Sequence, residues 1–329
     1  MKKNIAVVYG GNSSEVEISV MSGRYVASVI DRELFNVYEV YLRGTEWNVI
    51  EWDEEDVPSV VAPICKDDFS FIGKDGENVQ IDVACLMIHG TPGENGILQG
   101  YLEMIGIPFT TCSSFACTVA FNKYACKTFL KDSGVKMARE VFLRKGDAID
   151  TEKIIKKLSL PLFVKPADGG SSFGITKVMF PEQLQPACEK AFKEYDTILV
   201  EEFIPGREFT QGVYSTGSEI RPLPVTEIIS NNEYFDYEAK YLGGSQEICP
   251  ALISNELAAQ ISEISAHIYK YFGCKGVIRI DYIANENGIY FLEINTVPGM
   301  TKMSLVPKMV AAAGLDITQF MTELILSSK

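Results

Sequence analysis

The chain has 329 residues, of which 47% are hydrophobic, with 30 Lys and Arg against 44 Asp and Glu for a net charge of −14. That length and apolar content suffice for two or three domains with proper cores. The acidic balance argues against a nucleic-acid or anionic-membrane partner, which binds through clustered Lys and Arg, but phosphate ligands need only a few local cations.

The chain opens on Met1-Lys2-Lys3, and the apolar run behind it is too short for a signal peptide. No apolar stretch reaches the length that spans a bilayer. Eight cysteines are scattered without a Cys-x-x-Cys pair, which fits reduced thiols in a cytoplasmic protein.

Residues 5–9 form a short apolar run expected to be a strand. A Gly10-Gly11 turn follows, then a helix with an apolar stripe at Val16, Val20, Gly23, Ala27 and Ile30. Ser14 with Glu17 three residues later reads as a capping box. Glu15 falls at the first turn, where the helix dipole favours an anion. The alternative is a ligand ammonium held by Glu15 at the carboxyl edge of the sheet. Residues 37–42 and 83–89 are further strands and 97–105 a helix, an alternation that indicates a parallel sheet covered by helices. Between them, residues 44–80 read as an acidic loop or hairpin excursion. His89 lies at the same sheet edge as Glu15 and by itself reads as a hydrogen-bonded loop histidine.

A second unit starts near Cys112, with a helix over 114–131, a strand over 138–143 and a helix over 151–158. Strands over 162–165 and 175–178 flank Asp168-Gly-Gly-Ser-Ser-Phe-Gly174. Such a loop can lay backbone N–H groups over phosphate oxygens with Lys165 adding a point charge, although taken alone it is equally a plain hairpin turn. A helix over 182–195 and a strand over 198–203 complete the unit. That strand ends in Glu201-Glu202, with Glu208 seven residues beyond Glu201, a place that can seat a purine and its ribose.

The most informative segment is a hairpin near the end of the sequence. Ile278, Ile280 and Tyr282 alternate on one face, with Tyr290, Leu292 and Ile294 facing the same way, and Arg279, Asp281, Glu293 and Asn295 occupy the other. With a three-residue loop Glu286-Asn287-Gly288, Asp281 faces Glu293 and Arg279 faces Asn295. Like charges directly opposite repel. A magnesium-like hard cation between the two carboxylates resolves the repulsion, and so does an exposed polar face neutralised by Arg279. Val297-Pro-Gly-Met-Thr301 then turns sharply beside whatever the carboxylates hold.

The motifs occur in a collinear series: Gly10-Gly-Asn-Ser-Ser-Glu-Val-Glu-Ile-Ser19, His89-Gly-Thr-Pro-Gly-Glu-Asn-Gly96, Asn122-Lys123, Val164-Lys-Pro166, Gly170-Ser-Ser-Phe-Gly174, Glu201-Glu-Phe-Ile-Pro-Gly-Arg-Glu208, Asp236-Tyr-Glu-Ala-Lys-Tyr241, Gly276-Val-Ile-Arg-Ile-Asp281 and Leu292-Glu-Ile-Asn-Thr-Val-Pro-Gly-Met-Thr301 with Ser304-Leu305. In this order they resemble the D-alanine–D-alanine ligase family of the ATP-grasp superfamily, over essentially the whole chain. The resemblance implies a three-domain ATP-grasp fold: an N-terminal Rossmann-like α/β domain over 1–111, a central subdomain over 112–200 and a C-terminal subdomain over 201–329 with a lid at 227–247.

It implies an ATP-dependent, two-step ligation of two D-alanine molecules through an acyl phosphate. Lys123, Lys165 and Lys240 would contact phosphates, Glu201, Phe203 and Ile204 the adenine, and Glu208 the ribose. Asp281, Glu293 and Asn295 would hold two magnesium ions, with manganese an alternative. Glu15 would hold the first ammonium, and Arg279 with the Gly299 amide the oxyanion. Ser304 and Leu305 would take the second carboxylate, Ser171 and Tyr241 would tie the lid to Glu15, and His89 belongs to the same catalytic group. A homodimer is expected. Two other readings stay open: a ligase with another second nucleophile, such as D-serine or D-lactate, and a nucleotide-binding sensor without catalysis.

Overall fold

The apolar run at the start folds as β1 (Lys3–Gly10), whose residues from Ile5 on are buried, as expected for a parallel strand covered on both faces. The computed structural model describes residues 2–169, 174–217, 219–230 and 245–328. The first segment continues through α1 (Val16–Val29), β2 (Phe35–Arg43), β3 (Glu46–Trp52), β4 (Pro58–Pro63), β5 (Phe71–Ile72), β6 (Asn78–Val79), β7 (Val83–Leu86) and α2 (Ile97–Ile105). These strands form a five-stranded sheet of order β4-β3-β2-β1-β7, with β5 and β6 as a separate pair. β1 runs parallel to β2 and β7, as expected, whereas β3 and β4 add antiparallel at one edge. The acidic excursion therefore takes the hairpin form, β3 with β4 and β5 with β6, joined by loops.

The expected helix over 114–131 is two helices, α3 (Ser114–Phe121) and α4 (Lys123–Leu130). Asn122 between them is extended and its side chain accepts from the Ala125 N–H, so it caps the second helix and breaks the first. Next come β8 (Glu140–Arg144), α5 (Thr151–Leu158), β9 (Leu162–Pro166), β10 (Thr176–Val178), α6 (Leu184–Ala191) and β11 (Thr197–Glu202). The four strands make an antiparallel sheet of order β10-β9-β11-β8. A 3-10 turn over Pro181–Gln183 replaces the start expected for α6.

The third sheet contains β12 (Arg207–Ser215), β13 (Ile220–Pro222), β14 (Thr226–Ser230), β15 (Ser245–Ile248), β16 (Val277–Asn285) and β17 (Gly288–Asn295), with α7 (Asn255–Tyr271) packed on it. α8 (Leu305–Ala312) and α9 (Ile317–Ser327) follow. Both reach back to the first sheet: Tyr9, Val26 and Ile30 share one buried core with Met300, Val306, Met309, Phe320 and Leu324. Among the described residues no single helix is long and apolar enough to cross a membrane.

The β16–β17 hairpin pairs Asp281 with Glu293 and Arg279 with Asn295, as the alternation predicts. It gets there differently. Asn285 pairs with Gly288, so the loop is two residues rather than three, and a bulge beside Asp281 and Tyr282 leaves Leu292 as the extra residue. Past the bulge the faces exchange. Ile289 and Phe291 point into the core, while Tyr290 turns outward beneath the Lys136 ammonium, contrary to the expected face. Leu292 is likewise off the core side.

Candidate active site

The β1–α1 turn and the 89–96 loop are laced together. Ser13 Oγ donates to the His89 carbonyl at 2.7 Å and accepts from the Glu15 N–H at 3.2 Å. Glu15 is buried at the start of α1, as the N-cap residue. Its side chain makes no cap hydrogen bond, and the expected Ser14–Glu17 capping box does not form. Glu94 Oε2 accepts from the Gly90 N–H at 2.7 Å, and burial, with Glu15 nearby, pushes its carboxyl up to about 7.

His89 is buried with both ring nitrogens engaged. Nδ1 lies 2.9 Å from the Val297 carbonyl and Nε2 3.2 Å from Ser22 Oγ. A carbonyl only accepts, so the proton of the neutral ring sits on Nδ1. Ser22 then donates to Nε2 and accepts from the Met300 N–H at 3.2 Å. His89 thus stitches the first sheet's edge to the 297–300 turn through both of its ring nitrogens. Burial lowers its pKa below 6.5. The stability gained from keeping it neutral is present above that ordinary value and is lost as the pH falls through the folded one. We therefore expect His89→Gln to flatten the stability profile between pH 7 and pH 5, read from urea midpoints at each pH; an unchanged slope would contradict the neutral assignment.

On the hairpin, Arg279 donates from Nε and Nη2 to the two oxygens of Asp281, both at 2.9 Å. Asp281 also accepts from Thr210 Oγ1 at 2.6 Å and from Asn295 Nδ2 at 3.3 Å. Glu293 lies 3.5 Å from the Lys123 ammonium, which donates to the Gly169 carbonyl at 2.7 Å. The α3–α4 break is what places Lys123 here: its own N–H bonds the Ala167 carbonyl and Asn122 Nδ2 bonds Asp168. Two carboxylates and an amide oxygen on one face form a hard oxygen donor set, which fits a divalent cation shared with substrate phosphates.

Between the second and third sheets lies a cleft. Phe163, Ile175, Phe203, Ile204, Ile283 and Leu292 form its apolar part, and Lys123, Lys165, Glu201, Glu208, Asp281 and Glu293 its charged part. The bulge is what turns Leu292 into this cleft. Lys165 forms an ion pair with Glu201, which Lys127 also holds, at 2.7 Å. Burial alone would raise the Glu201 pKa, but the two ammoniums outweigh it and hold the carboxylate at about 2.

Ser304 stands at the N-cap of α8 with Leu305 its first residue, so backbone N–H groups and the positive end of the helix dipole are available to a carboxylate. Ser304 Oγ accepts from the Thr301 N–H at 3.0 Å, close under Gly299, where a side chain would press on that hydroxyl. Ser171, Lys240 and Tyr241 lie outside the described residues. The remaining expected residues fall into two neighbourhoods, the nucleotide-like cleft and the Glu15–His89–Arg279 edge. Sequence reasoning missed Ser22, Thr210 and Lys127. Only Lys127 carried a signal: it follows Lys123 by one helical turn, on the same face.

Comparison with known proteins places this geometry. The D-ala D-ala ligase N-terminus family model matches residues 4–112 and the D-ala D-ala ligase C-terminus model residues 129–326. The D-alanine–D-alanine ligase of Phocaeicola vulgatus is 47% identical over 326 residues, covering 99% of both chains. Among solved structures, the VanG D-Ala:D-Ser ligase of Enterococcus faecalis superposes with a TM-score of 0.84 at 32% identity, covering 99% of each chain. The D-alanine–D-alanine ligase of Bacillus anthracis complexed with ATP gives 0.79 at 26% identity, covering 99% of this chain and 97% of that one. With both family models spanning nearly all of the sequence and the acid-lined cleft formed where the motifs converge, the chain belongs to the D-alanine–D-alanine ligase family.

Proposed function

We propose that this chain joins two D-alanine molecules at the expense of ATP, through an acyl phosphate, to supply a peptidoglycan precursor. The observation that carries this reading is the cleft: an apolar slot for a purine runs into Lys123, Lys165 and a facing pair of carboxylates. Phe203 and Ile204 line the purine end, Glu208 lies at the ribose position, and Lys123 and Lys165 face the phosphates. Asp281, Glu293 and Asn295 would hold two magnesium ions, which supply charge neutralisation at the transferring phosphoryl group.

The carboxylate of the first D-alanine attacks the γ-phosphorus and displaces ADP, and the amine of the second then attacks the acyl carbon, expels phosphate and gives up a proton. Glu15 pairs with the first ammonium. Arg279 and the Gly299 N–H stabilise the oxyanion that develops. Ser304 and the start of α8 receive the second carboxylate. Water exclusion from the acyl phosphate is assigned to the 227–247 segment, with Lys240, Tyr241 and Ser171 as its contacts. The three sheets support units at 1–111, 112–200 and 201–329. We also read the protein as a cytoplasmic homodimer. The exposed Ile97 and Met104, two turns apart on α2, support the pairing, and sedimentation velocity tests it.

Phosphate release from magnesium–ATP, titrated with D-alanine and with D-serine, D-lactate and L-alanine as comparators, tests the reaction. Saturable release with D-alanine alone and formation of the dipeptide are expected. The similarity to a D-Ala:D-Ser ligase keeps D-serine as the competing second substrate. ATP binding without release would reject the enzyme reading.

A further inference from the structure

A second pair of acids faces across neighbouring strands, away from the hairpin. Glu140 of β8 is the direct partner of Glu201 of β11. Both sit mostly out of water, Glu201 at 7% exposure, where like charges opposite each other are costly. Here the resolving cation is in the chain. Lys127, 5% exposed, reaches in from α4 and lies 2.7 Å from each carboxylate, its ammonium also donating to the Ala138 carbonyl at 2.8 Å. Toward Glu140 the contact is an ion pair without the alignment of a hydrogen bond. Toward Glu201 it is a hydrogen bond to Oε1, while Lys165 takes Oε2.

The two lysines differ in what they can do next. Lys165 lines the cleft and can turn toward incoming phosphates; Lys127 does not line it and has nowhere else to go. A carboxylate offers about four lone-pair sites, so Glu201 with two ammoniums still has acceptor capacity for an amine donor at the purine end. Resting on the ligase reading above, we propose that Lys127 is a positioning residue for nucleotide selection, fixing Glu201 so that it accepts from the exocyclic amine of adenine after Lys165 has moved to the phosphates.

A purine nucleotide with a keto group at that position, inosine triphosphate, presents an acceptor to the same carboxylate and is the probe. In Lys127→Met, the KM for ATP is expected to rise about tenfold or more, the loss of one charge-assisted hydrogen bond. The ATP-over-ITP ratio of kcat/KM falls with it. The KM for D-alanine and kcat at saturating ATP stay within about twofold. Because Lys127→Met leaves two buried acids facing each other, the charge-balanced Lys127→Met/Glu140→Gln pair is measured beside it and is expected to show the same nucleotide effect with wild-type thermal stability.

An unchanged KM for ATP and unchanged ATP-over-ITP ratio in the folded double variant would overturn the proposal, as would a loss confined to kcat and Tm. Glu140→Gln alone gives Lys127 wholly to Glu201 and must keep or raise the ratio; a fall there also overturns it. The unmutated enzyme with D-alanine is the baseline, so failure of the ligase reading shows there before any variant is made.

Discussion

Changing Asp281 to Asn and Glu293 to Gln together is expected to lower D-alanine-dependent phosphate release by at least about a thousandfold, the scale on which bound cations stabilise phosphoryl transfer. The two residues face each other across β16 and β17, and both face the end of the cleft where Lys123 and Lys165 converge. The fold is expected to survive. Thr210 keeps an oxygen to donate to at position 281, and removing two like charges relieves cross-strand repulsion even as Arg279 loses its carboxylate. Circular dichroism and the thermal midpoint check that half of the statement. A magnesium–ATP-induced rise in that midpoint, present in wild type and absent in the variant, reads cation binding without relying on turnover. Turnover within tenfold of wild type would remove these residues from the cation site.

Glu201→Gln is the second large effect, and it acts on stability. It leaves Lys127 buried with one acid where it had two, and Lys165 without its ion pair. Removing one partner from a buried charge pair costs about 3–5 kcal/mol. The sign of the pH dependence is fixed by the direction of the shift. Glu201 titrates at about 2 in the folded protein against an ordinary 4.5, so its contribution is fully present above 4.5 and is lost as the pH falls toward 2. The variant should therefore lie furthest below wild type at neutral pH, and the gap in urea midpoint should narrow on acidification from pH 4.5. A gap that widens on acidification would mean that the carboxylate is not held ionised by its lysines.

Much of this site was legible because strands alternate. The period-2 pattern set Arg279, Asp281, Glu293 and Asn295 on one face, and that is where they are. It succeeded through two departures that offset each other: a loop one residue shorter than expected, and a bulge that inserts one residue. A bulge leaves no mark in an alternation read from both ends, so Tyr290 and Leu292 were assigned to the wrong face. The α3–α4 break was hidden for a related reason. Asn122 interrupts an otherwise helical pattern only once, and neither its cap on the Ala125 N–H nor its bond to Asp168, 46 positions away, is announced by the residues around it. The Ser14–Glu17 pair met a local rule, but the neighbouring Ser13 bonds the His89 loop, and the turn follows that tertiary tie. Lys127 escaped because a lysine on a helix is read as solvated unless the acids opposite it are known.

The core shared by β1, α1, α8 and α9 imposes an order on biosynthesis. Ile5 and Phe320 belong to one hydrophobic cluster, and ribosomes add about 5–20 residues per second, so the apolar side of β1 and α1 waits roughly 15–60 s for its cover. Through that interval the nascent chain exposes the part of β1 and α1 that Met300, Val306, Met309, Phe320 and Leu324 cover in the finished protein, which makes it a natural client for holding chaperones. The same delay means that the Val297 and Met300 contacts of His89 and Ser22 close only when the rest of the protein has been made.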